Sequence, residues 1–78
     1  MLTERHIKIL TSINDFSCLY GYQPTTREVM EKMEIASTST MFGHLHRLKD
    51  KGYLDFIKQS PRTLHLTQKG LRVIADDK

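Results

Sequence analysis

Apolar residues near the start of the chain fall at helical spacing: Ile7, Leu10, Ile13 and then Phe16 or Ser17, with Ile9 beside them. Thr3 precedes this run as an N-cap, and Glu4 puts a negative charge in the first turn, where the helix dipole favours it. Gly21 ends the helix and Pro24 keeps it from resuming. Thr25 and Thr26 offer caps for a short second helix. Glu28 and Glu31 lie near its start, Val29, Met30 and Met33 form its apolar side, and it stops around Glu34-Ile35. A third helix begins at Ser37. At 100° per residue, Met41, Leu45, Leu48 and Gly52 fall within about 40° of one line and make the buried stripe. The opposite face holds Ser39, Gly43, His46 and Asp50, with Phe42 on one flank and Thr40 and Arg47 on the other.

Beyond Gly52 the period changes. Tyr53 to Ile57 is rich in aromatic and branched residues and predicts a strand. Thr63 to Thr67 alternates polar and apolar, as a half-buried strand does. The segment Lys58-Gln59-Ser60-Pro61-Arg62 makes the turn between them. Thr67 can cap a last short helix over 68–75, with Leu71, Ile74 and Ala75 on one side, although Gly70 inside it costs about 1 kcal/mol relative to alanine. The expected fold is mainly α with a small β-hairpin. It is a winged helix-turn-helix of three helices, a two-stranded wing and a short C-terminal helix, forming one domain over residues 1–78.

At 78 residues a chain buries only roughly 60% of its unfolded surface, which leaves a thin core and favours a binding module over an enzyme. No run approaches the ~18 apolar residues of a membrane span, and no signal peptide is visible. The lone Cys18 excludes an internal disulfide framework and fits a reducing compartment such as the cytoplasm. It reads as a buried or half-buried thiol. Charge is uneven. Residues 1–43 carry four Lys and Arg against five acids, whereas residues 44–72 carry seven against two, and the last six residues carry a net −1. A basic segment suits a polyanion, which releases condensed counterions on binding; it also suits a solvated face with no ligand.

Only about three residues, 35–37, join the second and third helices. That is helix-turn-helix spacing, in which the third helix enters the major groove of DNA and its N-terminal part meets base edges. Ser37, Thr38, Ser39 and Thr40 place small hydroxyls at a helix N-terminus, where free amides and the dipole also attract phosphate. Ser37 serves equally as a plain cap. Gly43 on the outward face allows close backbone approach. Phe42 either meets a thymine methyl or folds back onto the second helix. His46 and Arg47 reach a phosphate or a base, with phosphate favoured for Arg47. Lys58, Arg62 and Thr63 at the hairpin tip reach the DNA backbone or minor groove, or serve solubility alone. His44 and His46 face different ways on their helix, and His6 and His65 stand isolated, so no metal site or cofactor site is expected. No phosphate-cradling loop or activated nucleophile points to an enzyme or a small-molecule substrate.

These residues resemble the N-terminal DNA-binding domain of the LexA repressor family. Leu2-Thr3-x-Arg5, Gly21-Tyr22-x-Pro24-Thr25 and Arg27-Glu28-Val29 carry part of the likeness. The specific part runs from Ile35 to Gly52 and looks most like the Gram-positive branch, as does Pro61-Arg62 at the wing tip. The likeness covers roughly residues 2–66. It implies base reading by Ser37, Ser39, Thr40, Phe42 and Gly43 and a wing on the backbone; Thr25 and Arg27 are also expected to bind DNA. It also implies an inverted-repeat operator with CGAAC-type half-sites. Phe42 departs from the family, where a polar residue is usual. The family's self-cleaving, dimerising domain has no counterpart in these residues, so no autoproteolysis is expected. The tail from Leu66 to Arg72 looks more like the end of MarR-class winged helices and suits packing on the first helix or a dimer contact. A compact LexA-like regulator suits a phage or mobile element. The expected partners are operator DNA and a second copy of the chain. The alternative function is a protein-binding winged helix acting on a host repressor or polymerase.

Overall fold

Each of the first three helices starts on a side-chain hydroxyl. In the computed structural model, which describes residues 2–76, the chain forms α1 (Glu4–Tyr20), α2 (Thr26–Met33), α3 (Thr38–Asp50), β1 (Leu54–Asp55), β2 (His65–Leu66) and α4 (Gln68–Asp76). Met1, Asp77 and Lys78, which the expected domain and its acidic tail include, lie outside the described residues. The Thr3 hydroxyl accepts from the His6 amide at 3.1 Å. At α2 the cap is Thr25 rather than Thr26, because Glu28 three residues later closes a capping box. The Glu28 amide donates to the Thr25 hydroxyl at 3.1 Å, and the Thr25 amide donates to Glu28 Oε1 at 2.8 Å. Ser37 accepts from the Thr40 amide at 3.3 Å and starts α3.

The helices end as deliberately. Gly52, at φ 82°, lets the Tyr53 amide return to the Leu48 carbonyl and its own amide to Lys49, both at 2.9 Å. This double turn-back needs a left-handed residue. Gly52 is therefore an exposed helix stop and not the fourth member of the buried stripe. Glu34 performs the same service for α2 at φ 58° without being a glycine.

Ile9, Leu10 and Ile13 from α1, Val29 from α2, and Met41, Leu45 and Leu48 from α3 close on Leu54, Leu64 and Ile74 to make one core. β1 and β2 pair antiparallel with Leu54 opposite Leu66 and Asp55 opposite His65. Both strands are shorter than the alternation predicts. Side chains take the backbone donors that a longer ladder would use: Asp55 Oδ1 accepts from the Phe56 amide at 2.8 Å, and Thr63 Oγ1 accepts from the Ile57 amide at 2.9 Å.

The tail forms its helix despite Gly70. The Thr67 hydroxyl accepts from the Gly70 amide at 3.2 Å, and α4 packs on α1 through buried Ile74. Gly70 itself is buried, and a Cβ at this position would land on the Tyr53 carbonyl oxygen just before β1. The residue that weakens the helix locally is what lets it dock. Two further expectations fail. Cys18 is exposed, because the last turn of α1 runs past the core and leaves Leu19 and Tyr20 exposed with it. His6 is not isolated but buried and in contact with His44.

Candidate nucleic-acid interface

The burial of Met41, Leu45 and Leu48 fixes the rotation of α3. It leaves Ser37, Thr38, Ser39, Thr40, Phe42, Gly43, His46 and Arg47 exposed. The hydroxyls cluster on the first turn, beside the free amides of the helix start. Phe42 does not fold into the core; it is 41% exposed. Among the described residues a Cβ on Gly43 would meet nothing within 4 Å, so none of them requires glycine there.

A second wall faces this helix. The hairpin tip, the start of α2 and the flank of α3 enclose a groove of about 520 Å³ lined by Thr25, Arg27, Phe42, Phe56, Ile57 and Lys58, among others. His46 stacks edge-on against Phe56 with ring centroids 5.5 Å apart and lies 6.4 Å from Phe42. This aromatic row joins α3 to the wing.

The basic segment divides into cations that brace the fold and cations that do not. Lys49 donates to the Phe56 carbonyl at 3.1 Å, pairs with Asp55 at 3.5 Å and lies over the Phe56 ring. Lys69 donates to the Lys51 carbonyl at 2.9 Å and lies over Tyr53, which ties the tail to the end of α3. Arg62 donates to Glu28 and to the Gln23 carbonyl. Among the described residues Arg47, Lys51, Lys58 and Arg72 carry no ion pair, and Arg27 has only a loose one to Glu31 at 3.9 Å. The Thr25 and Thr63 hydroxyls are occupied within the protein, one as a cap and the other as a brace of the wing. Glu28 is held below the usual carboxylate range, first by the Thr25 backbone amide and then by Arg62. Asp55 is lowered chiefly by the Phe56 amide, with Lys49 adding to it.

The model for the LexA DNA-binding domain matches residues 1–63, which take in α1 to α3 and the wing tip. The chain belongs to the LexA DNA-binding domain family. It is 39% identical over 72 residues to the LexA repressor of Limosilactobacillus fermentum, an alignment covering 92% of this chain and 35% of that protein. It is 40% identical over 70 residues to the LexA repressor of Enterococcus faecalis, covering 90% and 34% respectively. With the LexA repressor of Lactobacillus delbrueckii the identity is 42% over 68 residues, covering 87% and 33%. The chain thus spans about a third of the length of the curated relatives it matches. Every residue named above for base or backbone contact lies inside the matched LexA segment.

Sequence reasoning missed the partners of these residues. The pairing of Arg62 with Glu28 spans 34 positions and that of His6 with His44 spans 38, and neither leaves a local signature. The capping box at Thr25 and Glu28 was available in the sequence as a threonine followed three positions later by glutamate.

Proposed function

We propose that this chain is the sequence-specific DNA-binding part of a transcriptional repressor, reading an inverted-repeat operator in double-stranded DNA. What carries the reading is the orientation of α3: its apolar stripe is buried while Ser37, Ser39, Thr40, Phe42 and Gly43 stand exposed at its N-terminal half. That is the part of a recognition helix that meets base edges. His46, Arg47 and Lys58 approach phosphate, and Arg27 and the capped start of α2 approach the flanking backbone. A two-fold operator takes two copies of the chain, and such a repressor acts on the chromosome, in the cytoplasm. The 78-residue polypeptide contains no Ala-Gly dipeptide, so incubation with an activated recombinase filament should leave it intact, and the appearance of fragments would overturn this.

A second reading takes the chain as a module that binds a host regulatory protein. The exposed Leu19, Tyr20 and Tyr22, at and just beyond the end of α1, favour it, since none of them belongs to α3. Gel shifts separate the two. On the first reading an inverted repeat of CGAAC-type half-sites is bound far more tightly than a scrambled duplex, and the binding weakens steeply as salt rises. Replacing Ser39 and Thr40 with alanine narrows the gap between the two duplexes. Equal affinity for both duplexes removes the first reading.

A further inference from the structure

Arg62 stands at the hairpin tip immediately after Pro61, in the segment that the charge pattern marks for DNA. Its side chain is turned elsewhere. One guanidinium nitrogen donates to Glu28 Oε1 at 2.9 Å and to the Gln23 carbonyl at 3.0 Å, and the other reaches Glu28 Oε2 at 3.4 Å. The guanidinium also lies over the Tyr22 ring, 4.7 Å from its centroid, and Tyr22 in turn meets Phe16 of α1 edge-on at 5.7 Å. A fork donating to both oxygens of one carboxylate is directional, so it fixes orientation as well as distance. The backbone at Arg62 is left-handed, φ 61°, a conformation unfavourable for any side chain but glycine. A residue held there needs compensating contacts, and these four supply them.

The rest of the tip is braced in the same way. Thr63 Oγ1 accepts from the Ile57 amide at 2.9 Å and donates to the Ser60 carbonyl at 2.9 Å, and the Ser60 amide donates to the Ile57 carbonyl at 3.1 Å. Lys58 is the one cation of the tip segment with no such engagement among the described residues.

We propose that Arg62 is the positioning residue of the wing. With Glu28 it latches the hairpin tip to the first turn of α2, so that the wing is already set at a fixed distance from α3 before DNA arrives, and Lys58 is left as the cation that meets phosphate. Preorganising the wing raises affinity by removing the ordering cost at binding. The inference rests on the DNA-binding reading for its consequence and on the free protein for its geometry.

Glu28→Gln tests it without breaking the helix start, because a glutamine carbonyl still accepts from the Thr25 amide. In the free protein, the latch predicts that Glu28→Gln and Arg62→Met each speed hydrogen exchange at the Ile57 and Ser60 amides relative to those of the core. On the inverted-repeat duplex, each substitution weakens binding about fivefold and the double variant weakens it no further, as expected of two residues acting through one contact. Arg62→Lys behaves like Arg62→Met, since it keeps the charge and loses the fork. The slope of log affinity against log salt is unchanged by Arg62→Met and falls by about one with Lys58→Ala. The proposal is overturned if Arg62→Met lowers that slope by about one while Glu28→Gln leaves binding intact or tightens it, the signature of a direct phosphate ligand. It is equally overturned if the wing amides exchange at the wild-type rate in both variants. Should the wild-type chain fail to prefer the operator, the DNA reading fails, and the exchange data still decide the latch.

Discussion

His6 Nε2 lies 3.2 Å from His44 Nδ1, so the first helix touches the inner flank of α3 through two imidazoles. One ring must donate and the other accept. Among the described residues His6 Nδ1 is buried without a partner, so the arrangement costing least has His6 Nε2–H donating to His44 and leaves a bare lone pair on Nδ1. Burial lowers the pKa of both rings below the ordinary value near 6.5. His44, Lys51 and Arg47 add to this at His6, and Arg5 and Arg47 at His44.

The sign of the resulting pH dependence follows. Well above pH 6.5 both rings are neutral in the folded and the unfolded chain, and the contribution of the pair is complete. As pH falls from there through the lowered folded values, the unfolded chain takes up protons that the folded one resists, and stability declines. Urea midpoints taken between about pH 7.5 and 5 should fall with pH, and His6→Gln should flatten that slope. Glu28 and Asp55, both lowered from values of 4.5 and 3.8, add a second loss in more acid solution. Midpoints that do not move before carboxylates titrate would contradict the histidine account.

Gly43→Ala should separate stability from binding. Nothing within 4 Å obstructs a Cβ at this position, so the helix gains up to about 1 kcal/mol and the melting temperature rises. Operator affinity should fall, because the added methyl stands between the α3 backbone and the DNA. A variant that is both more stable and bound as tightly as wild type would show that close approach at Gly43 is not used.

Gly70→Ala should do the reverse for stability. The new Cβ collides with the Tyr53 carbonyl, a backbone atom that moves only if β1 or α4 moves. The loss exceeds the roughly 1 kcal/mol of helix propensity gained. A lower melting temperature with faster amide exchange in α4 is the expected result.

Glu34→Gly should stabilise the chain by about 1 kcal/mol, since Glu34 holds a left-handed conformation at φ 58° that glycine adopts without strain. Denaturant midpoints at unchanged slope measure it.

What the sequence discloses and what it hides divide along contact range. The hydroxyl caps, the glycine stops and the stripe of Met41, Leu45 and Leu48 are legible because each depends on neighbours within a turn or two. The exposure of Ser39 and Gly43 follows from that stripe by geometry alone. Gly52 misleads because a residue at the right angle on a helical wheel is still outside the helix once it caps it. The role of Gly70 is hidden because its reason, the Tyr53 carbonyl, lies across the hairpin. Net charge hides how the cations are held. Lys49, Arg62 and Lys69 count towards a basic segment, yet each is spent on a carbonyl, a carboxylate or an aromatic ring of the protein itself.

The most direct measurement is the map of backbone amide shifts when an inverted-repeat duplex is added to isotope-labelled protein. The account predicts the largest changes at residues 37–43 of α3, with smaller ones at Lys58 and at the start of α2. Changes gathered on Leu19 to Tyr22, with the hydroxyl turn of α3 undisturbed, would contradict it.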